Sequence, residues 1–242
     1  VSLARKSLIE WNIYHPGLEV LEWAFNFLKE KGFAEEAEFN VENLVENNER
    51  IHMVLPKTID YQIHLVLREG ELLSELNQEV KQGDFDIAIV GAPRRNRMTH
   101  QLAQFLDTSI FFVKNFNPKW NYKILLCVDD SRATKRAIIF STRISNQFSA
   151  DIKNVTVSKT TFFGKGYRNA HKWAERYLKR MNIPFSSKLL NGNPVNEFVH
   201  EAGDNHIIIL GKSKGNEIMK FIWGSKPIHT AQRANCPVLL VN

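Results

Sequence analysis

The sequence contains only two cysteines, Cys127 and Cys236, among 242 residues. Two thiols cannot form the disulfide framework of a small secreted domain, so we interpret both as buried thiols in a reducing compartment. No apolar run reaches the roughly 20 residues needed to cross a bilayer, and no signal-peptide pattern is present. The sequence therefore predicts a globular, cytoplasmic chain. Because it begins at Val1 rather than Met, we also expect a fragment or a trimmed protein, which keeps open an attachment to a membrane domain outside this chain.

The usual catalytic and metal-binding patterns are missing as well. Complete Walker A and dinucleotide-binding glycine patterns are absent. The eight histidines show no Cys/His spacing for zinc, and no Ser/His/Asp arrangement can be placed. His171 and Glu175 lie four residues apart in a helical pattern, but two ligands do not make a metal site, and we interpret them as part of a solvated helix face. The sequence predicts no enzyme and no metal site.

Positive charge is in modest excess: the chain contains 26 acidic residues, and its formal net charge is still +6. Such an excess favours anionic partners: nucleotide phosphates, nucleic acid or lipid headgroups. The interspersed acids are instead typical of a mixed, solvated surface. Basic and aromatic residues interleave in one stretch, at Phe162, Phe163, Lys165, Tyr167, Arg168, Lys172, Arg176, Lys179 and Arg180. Trp173 and Tyr177 fall on the apolar face of the same helical pattern, so we expect an ordinary basic outer face and no nucleic-acid binding.

What the chain does contain is an alternation of short apolar runs and amphipathic segments. Strands are predicted at 39–45, 51–55, 61–67, 86–91, 109–113, 123–128, 154–157, 185–190, 207–210 and 237–241. Helices are predicted at 18–31, 71–82, 99–106, 133–147, 167–181 and 194–202. Residues 115–121 are interpreted as a linker. This alternation predicts an α/β protein with mainly parallel sheets that are sandwiched between helices.

The two halves of the chain are similar to each other. Gly70-Glu71-Leu72 matches Gly192-Asn193-Pro194, the strand ending at Gly91 matches the strand ending at Gly211, and 109–113 matches 237–241. The sequence therefore predicts two tandem Rossmann-like or flavodoxin-like units, residues 1–116 and 121–242, related by a pseudo-twofold axis. The copies differ after the matching glycines, because only a short segment follows Gly91 whereas a long basic loop separates Gly211 from Gly224.

That loop is the strongest functional signal. A buried strand, HIIILG, ends at Gly211 and is followed by KSKGNEIMKFIWGS. At the carboxyl ends of parallel strands, glycines let main-chain N–H groups approach phosphate oxygens closely. The loop is therefore a candidate anion or nucleotide site. Asp129-Asp130 after another strand also raises the alternative of a phosphoacceptor receiver domain, but Gly211 stands where that fold needs a further acid.

Together these residues resemble the universal stress proteins in tandem form, with a degenerate first repeat. The resemblance covers 121–242 well and the first half more loosely. ILLCVDDS is similar to the family's first strand, NGNPVNEFVHEA to its central helix, CPVLLV to its last strand, and GKSKGNEIMKFIWGS to its nucleotide loop. In the first repeat, Ile13 or Tyr14 takes the place of Asp129 and the loop is lost, so we expect no nucleotide there.

The resemblance implies one ATP site in the second repeat. Asp129 would receive the adenine or ribose and Val157 would flank the base. The phosphates would be bordered or held by Gly211, Ser213, Lys214, Gly215, Gly224 and Ser225. Lys214 departs from the pattern because it stands where the family has a second glycine. Lys214 either crowds the main-chain approach or, with Lys212 and Lys226, supplies charge to the phosphates.

Several functions stay open at the level of sequence. The favoured hypothesis is a non-enzymatic regulatory or binding protein of universal stress protein type, with self-association or a protein partner. The alternative is the cytosolic regulatory domain of a membrane transporter, of amino-acid permease or cation/chloride cotransporter type, with little or no nucleotide binding. A slow ATP hydrolase is a third alternative, without an identifiable base. The family often dimerises through its last strand, so 237–242 is a candidate interface edge unless pairing between the repeats already uses it.

Overall fold

The computed structural model describes residues 16–34, 37–40, 43–47, 50–56, 61–91, 96–212 and 226–242. The chain divides into two compact units, Val1–Glu75 and Leu76–Asn242, and the division falls inside the helix Leu72–Gly83. The predicted repeats, 1–116 and 121–242, follow sequence similarity rather than packing, so their boundaries stay a prediction.

The first unit contains helix α1, Pro16–Glu30. Proline at the first position suits a helix start, because its missing N–H has no intrahelical partner there. Leu18, Leu21 and Phe25 recur at helical spacing and are buried. The chain leaves the helix through Gly32, whose φ of 79° favours glycine. This helix is close to the one predicted over 18–31.

A three-stranded antiparallel sheet completes the described part of this unit. Its strands are β1, Val45–Asn47, β2, Arg50–Val54, and β3, His64–Arg68, in the order β1-β2-β3. The mainly parallel arrangement expected for both halves does not extend to this sheet. The connections are the reason, since residues 55–63 are fewer than the dozen or so that a parallel crossover requires.

The second unit alternates strands and helices along the chain. After α2, Leu72–Gly83, its elements are β4 Ile87–Gly91, α3 Asn96–Phe105, β5 Ser109–Val113, β6 Lys123–Cys127, α4 Arg132–Phe148, β7 Ile152–Ser158, α5 Lys165–Arg180, β8 Phe185–Asn191, α6 Pro194–Ala202, β9 His206–Gly211, α7 Lys226–Arg233 and β10 Val238–Val241. No helix in the described part of the chain is long and apolar enough to cross a membrane.

These strands form one seven-stranded sheet in the order β4-β5-β10-β9-β6-β7-β8. All neighbouring pairs are parallel except β5 with β10. The interior strand β10 is buried at all four positions, as expected for a strand of a parallel sheet that is covered on both faces. The α/β architecture with a mainly parallel sheet flanked by helices is therefore confirmed.

The antiparallel pair β5–β10 joins the last strands of the two sequence repeats. Phe111 pairs with Leu239 at its centre. β4 lies parallel to β5, and the matching strand β9 lies parallel to β10. This arrangement is that of two repeats about a pseudo-twofold axis. It also means that the last strand is not an open interface edge, because β5 and β9 occupy both of its sides.

One backbone feature occurs at matching places in the two repeats. Gly70 has a φ of 153° and Gly192 a φ of 148°, conformations that L side chains rarely adopt. A Cβ added at Gly70 would lie 2.8 Å from Oε1 of Glu75, and one added at Gly192 would lie 2.6 Å from Oε1 of Glu197. Each glycine thus lets a glutamate from the first turns of the next helix fold back over the turn, which supports the predicted sequence repeat.

Candidate functional site

The strand order of the second repeat places a crevice at one point of the sheet. Its five strands lie in the order β8-β7-β6-β9-β10, so the chain moves outward from β6 in one direction and then returns to continue on its other side through β9. Ligands of doubly wound α/β proteins bind at such a switch point, outside the carboxyl ends of the strands.

A cleft lies at this place. Its lining comes from the carboxyl ends of β6, β7 and β9 and from the first turns of α6 and α7, and consists of Cys127, Val128, Asp129, Val157, Pro194, Phe198, Leu210, Gly211, Lys226 and Pro227. Among the described residues, the wall is apolar apart from the carboxylate of Asp129, the ammonium group of Lys226 and the thiol of Cys127. Two helices begin at the cleft, and the partial positive charge of a helix N-terminus attracts anions.

Asp129 lies directly beyond β6, and one of its carboxylate oxygens organises the start of α4. Oδ1 accepts a hydrogen bond from the hydroxyl of Thr134 at 2.6 Å and one from the main-chain N–H of Ser131 at 3.0 Å. Ser131 is the N-cap residue of α4 but makes no side-chain cap bond. Asp129 therefore holds the turn between β6 and α4, and this turn presents its side chain to the cleft.

Gly211 ends β9 where the strand passes very close to the first turn of α4. A Cβ at this position would lie 2.4 Å from the carbonyl carbon of Ala133 and 2.6 Å from its oxygen. Both atoms belong to the backbone, which cannot move aside as a side-chain end can. Packing of helix against strand therefore requires glycine here, independently of any phosphate.

The two lysines that flank the loop have different surroundings. The ammonium group of Lys212 donates to the carbonyl of Leu106 at 2.6 Å, at the end of α3. The proposal that Lys212 supplies charge to phosphates is thus not supported by its position. Lys226 lines the cleft, and its Nζ lies 3.3 Å from the hydroxyl of Tyr167 and 5.8 Å from the centre of that ring. Lys226 is the cation that this cleft offers among the described residues.

Both cysteines are free and buried, as the sequence predicts. Burial, followed by the nearby carboxylate of Asp129, raises the pKa of the Cys127 thiol well above its ordinary value. Burial also raises the pKa of Cys236 to about 11. The Cys127 thiol lines the cleft in its protonated form, which is a poor nucleophile.

Of the predicted site residues, Asp129, Val157 and Gly211 lie together at the cleft. Ser213, Lys214, Gly215, Gly224 and Ser225 lie outside the described residues. The sequence interpretation missed Cys127, Val128, Pro194, Phe198, Leu210 and Pro227. Their position relative to the strands could have identified them. Each lies at or just after the carboxyl end of a strand, or in the first turns of a helix that begins at the cleft.

His171 is not part of the solvated face predicted for it. It is 6% exposed and lies on the face of α5 that packs against the sheet. Its Nδ1 is 2.9 Å from the hydroxyl of Thr156 on β7, and its Nε2 is 2.9 Å from the hydroxyl of Ser187 on β8. Burial lowers the pKa of His171, and Glu175 at 3.5 Å opposes that shift. The histidine is a structural tie between a helix and two strands, and no group of three potential metal ligands occurs among the described residues.

Comparison with known proteins identifies the fold. Neither a protein-family profile nor a curated protein matches the sequence. A universal stress protein from Archaeoglobus fulgidus matches in structure with a TM-score of 0.57 and 13% identity, over 72% of this chain and 66% of that protein. A protein assigned as a universal stress protein, from Pseudomonas aeruginosa, has a TM-score of 0.54 and 12% identity, over 72% of this chain and 69% of that one.

A universal stress protein in complex with cAMP matches over 50% of this chain and 97% of its own length, with 18% identity and a TM-score of 0.42. The sheet order and the cleft at the switch point define an α/β protein of the Rossmann-like class. Within that class, the chain has the fold of the universal stress proteins. It spans 66% of the Archaeoglobus protein, slightly less than two thirds.

Proposed function

We propose that the protein is a non-enzymatic regulatory protein of universal stress protein type that binds one adenine nucleotide, ATP, in the cleft of its second repeat. One observation carries the proposal: Asp129, Val157 and Lys226 line the same opening at the switch point of the sheet. A nucleotide needs an acceptor for its ribose hydroxyls, an apolar wall for its base and positive charge for its phosphates. These three residues supply one of each.

The remaining lining residues fit the same ligand. Phe198 and Pro194 of α6 extend the apolar wall beside Val157. The starts of α6 and α7 add positive potential where the phosphates would lie. We propose that Ser213, Lys214, Gly215, Gly224 and Ser225 complete the phosphate site. No residue is proposed as catalytic, since burial keeps the Cys127 thiol protonated.

Calorimetric titration with Mg-ATP and with adenosine tests the site, together with mass spectrometry of nucleotide carried through purification. We expect about one ATP per chain. Lys226→Gln should weaken ATP binding about 10- to 150-fold and leave adenosine binding unchanged, because a charge-assisted hydrogen bond contributes roughly 1.5–3 kcal/mol. Phe198→Ala should weaken both ligands.

Lys212→Gln is the matched control, because the ammonium of Lys212 bonds to the carbonyl of Leu106 rather than facing the cleft. It removes the same charge and should change neither affinity. Equal losses in the two lysine variants would mean that net charge, not the cleft, attracts the nucleotide. No binding at millimolar ATP would overturn the proposal.

A second candidate is the cytosolic regulatory domain of a membrane transporter, in which the fold serves as a protein-interaction scaffold. The position of Lys212 favours it, because this basic residue of the loop contributes to packing instead of to a phosphate site. Its partner surface cannot be the last strand, whose sides are occupied by β5 and β9. A long apolar segment encoded upstream of Val1 would support it, and an initiator codon directly before Val1 would exclude it.

A further inference from the structure

The outer face of α4 and α5 is strongly basic. α4 carries four basic residues and no acid: Arg132, Lys135, Arg136 and Arg143. α5 carries six: Lys165, Arg168, Lys172, Arg176, Lys179 and Arg180. All ten side chains are exposed. The only acid on either helix is Glu175, which faces His171.

This face holds more positive charge than the whole chain. Ten bases against one acid give the two helices a formal charge of +9, whereas the whole chain carries +6. The remainder of the chain is therefore net negative. α6 and α7 carry equal numbers of Lys or Arg and of Glu residues, two of each. The excess charge is thus localised, contrary to the mixed surface that the composition suggested.

The ten residues lie on the outer sides of two neighbouring helices. On α5 they recur at intervals of three and four residues, which aligns them along one side of the helix opposite the buried Ala174 and Leu178. The stripe is roughly 22 Å long at 1.5 Å per residue. α4 lies beside it, because Nζ of Lys135 is 5.9 Å from the ring centre of Trp173 on α5. Two stripes on adjacent helices make one broad basic face.

We propose that this α4/α5 face docks on a membrane surface that contains anionic lipids. Clustered bases next to a bilayer gain about 1 kcal/mol each from the negative surface potential, without any specific hydrogen-bond pattern. Phe162, which is 70% exposed, lies at the start of this face with its ring 5.5 Å from the guanidinium of Arg168. An exposed apolar ring beside basic residues suits the boundary between headgroups and acyl chains.

The same observations disfavour nucleic acid. Single strands bind through aromatic platforms on which bases stack. Among the described residues of this face, Phe162 offers a single exposed ring, whereas the ring of Trp173 is partly buried, stacked on Tyr177 at 5.2 Å and covered by Lys135, so the face has no series of rings for successive bases. The inference is independent of the nucleotide proposal.

Co-sedimentation of the full chain with vesicles tests the proposal at 0.1 M salt. The vesicles contain phosphatidylcholine alone or with about 30% phosphatidylserine. The face variant combines Arg168→Gln, Lys172→Gln, Arg176→Gln and Lys179→Gln. We expect it to bind the anionic vesicles at least about 100-fold more weakly, because each lost charge should cost about fivefold. Phe162→Ser should weaken binding several-fold without a change of charge.

The matched control removes four exposed basic residues elsewhere in the second unit, by Lys81→Gln, Arg97→Gln, Lys119→Gln and Lys123→Gln. It should bind nearly as tightly as the unchanged chain. Circular dichroism and thermal unfolding verify that both variants fold. Equal losses in the two variants, or equal binding to neutral and anionic vesicles, would overturn the proposal. Binding of a 20-nucleotide RNA through the same four residues, without vesicle binding, would replace it with nucleic-acid binding.

Discussion

Gly211 is the residue in the cleft whose identity the structure explains most directly. The end of β9 lies so close to Ala133 that a Cβ would come within 2.4 Å of a backbone carbon. At Gly91, the matching end of β4, no atom of the described residues lies within 4 Å of an added Cβ. Two glycines at equivalent places in the repeat thus have different reasons to be there.

We predict that Gly211→Ala lowers the free energy of unfolding by about 1–3 kcal/mol, the usual cost of overpacking. Gly91→Ala, the matched control, should change it by less than about 1 kcal/mol and in the stabilising direction, because alanine restricts the unfolded chain. Urea unfolding of both variants measures this. If the two substitutions have the same effect, the close approach of β9 to α4 is not what requires glycine.

Residues such as Gly211 also show what a sequence can and cannot reveal. HIIILG predicts a buried strand because the four residues from Ile207 to Leu210 are all apolar, and Gly211 marks its end. The reason for that glycine lies in α4, far away in the chain, and no local pattern contains it. The role of Lys212 could likewise not be predicted from the local sequence, because its partner, the carbonyl of Leu106, lies far away in the chain.

At the scale of elements, helical periodicity located α5 but not what lies beneath it. His171 and Glu175 are separated by one helical turn. This spacing is as typical of a solvated helix face as of a buried one. The structure puts Thr156 of β7 and Ser187 of β8 under the imidazole. A prediction of such a network requires the strand order, which sequence alone supplies only through the fold it resembles. The antiparallel sheet of the first unit was missed because short connections outweigh the analogy between the repeats.

The tie between α5 and the sheet makes stability depend on pH. Burial lowers the pKa of His171 below its ordinary value of 6.5. Between the lowered pKa and 6.5 the unfolded chain binds more protons than the folded one, so the folded state loses stability as pH falls through that window. We expect a falling urea midpoint below pH 6.5. His206 contributes in the same direction, since burial lowers its pKa as well.

His171→Gln should flatten this pH dependence, because glutamine cannot take up the proton. The matched control is His229→Gln, which changes an exposed histidine on α7. It should leave the dependence of the urea midpoint on pH as it is. Urea unfolding at pH 5.0, 6.0 and 7.5 separates these cases. A His171→Gln profile that is parallel to the unchanged chain would show that the buried imidazole is not the titrating group.

At the scale of the whole molecule, the described parts of the two compact units have buried apolar clusters of very different size. The described part of the first unit has a small cluster of buried apolar residues: Phe25, Ala34, Ala37, Met53 and Leu55. The main cluster of the second unit contains twelve, drawn from β6, β7, β9, β10, α4, α5 and neighbouring segments. Because burial of apolar surface is the dominant stabilising term, the two units should differ in stability.

Native-state hydrogen exchange measures that difference. We predict that amides of β1–β3 exchange at least about 100-fold faster than those of β6, β9 and β10, since regions with few buried apolar contacts open at lower free energy. β8, an edge strand of the seven-stranded sheet, is the internal control and should exchange at an intermediate rate. Equal rates in β2 and β10 would contradict the prediction and would mean that both units open in a single cooperative step.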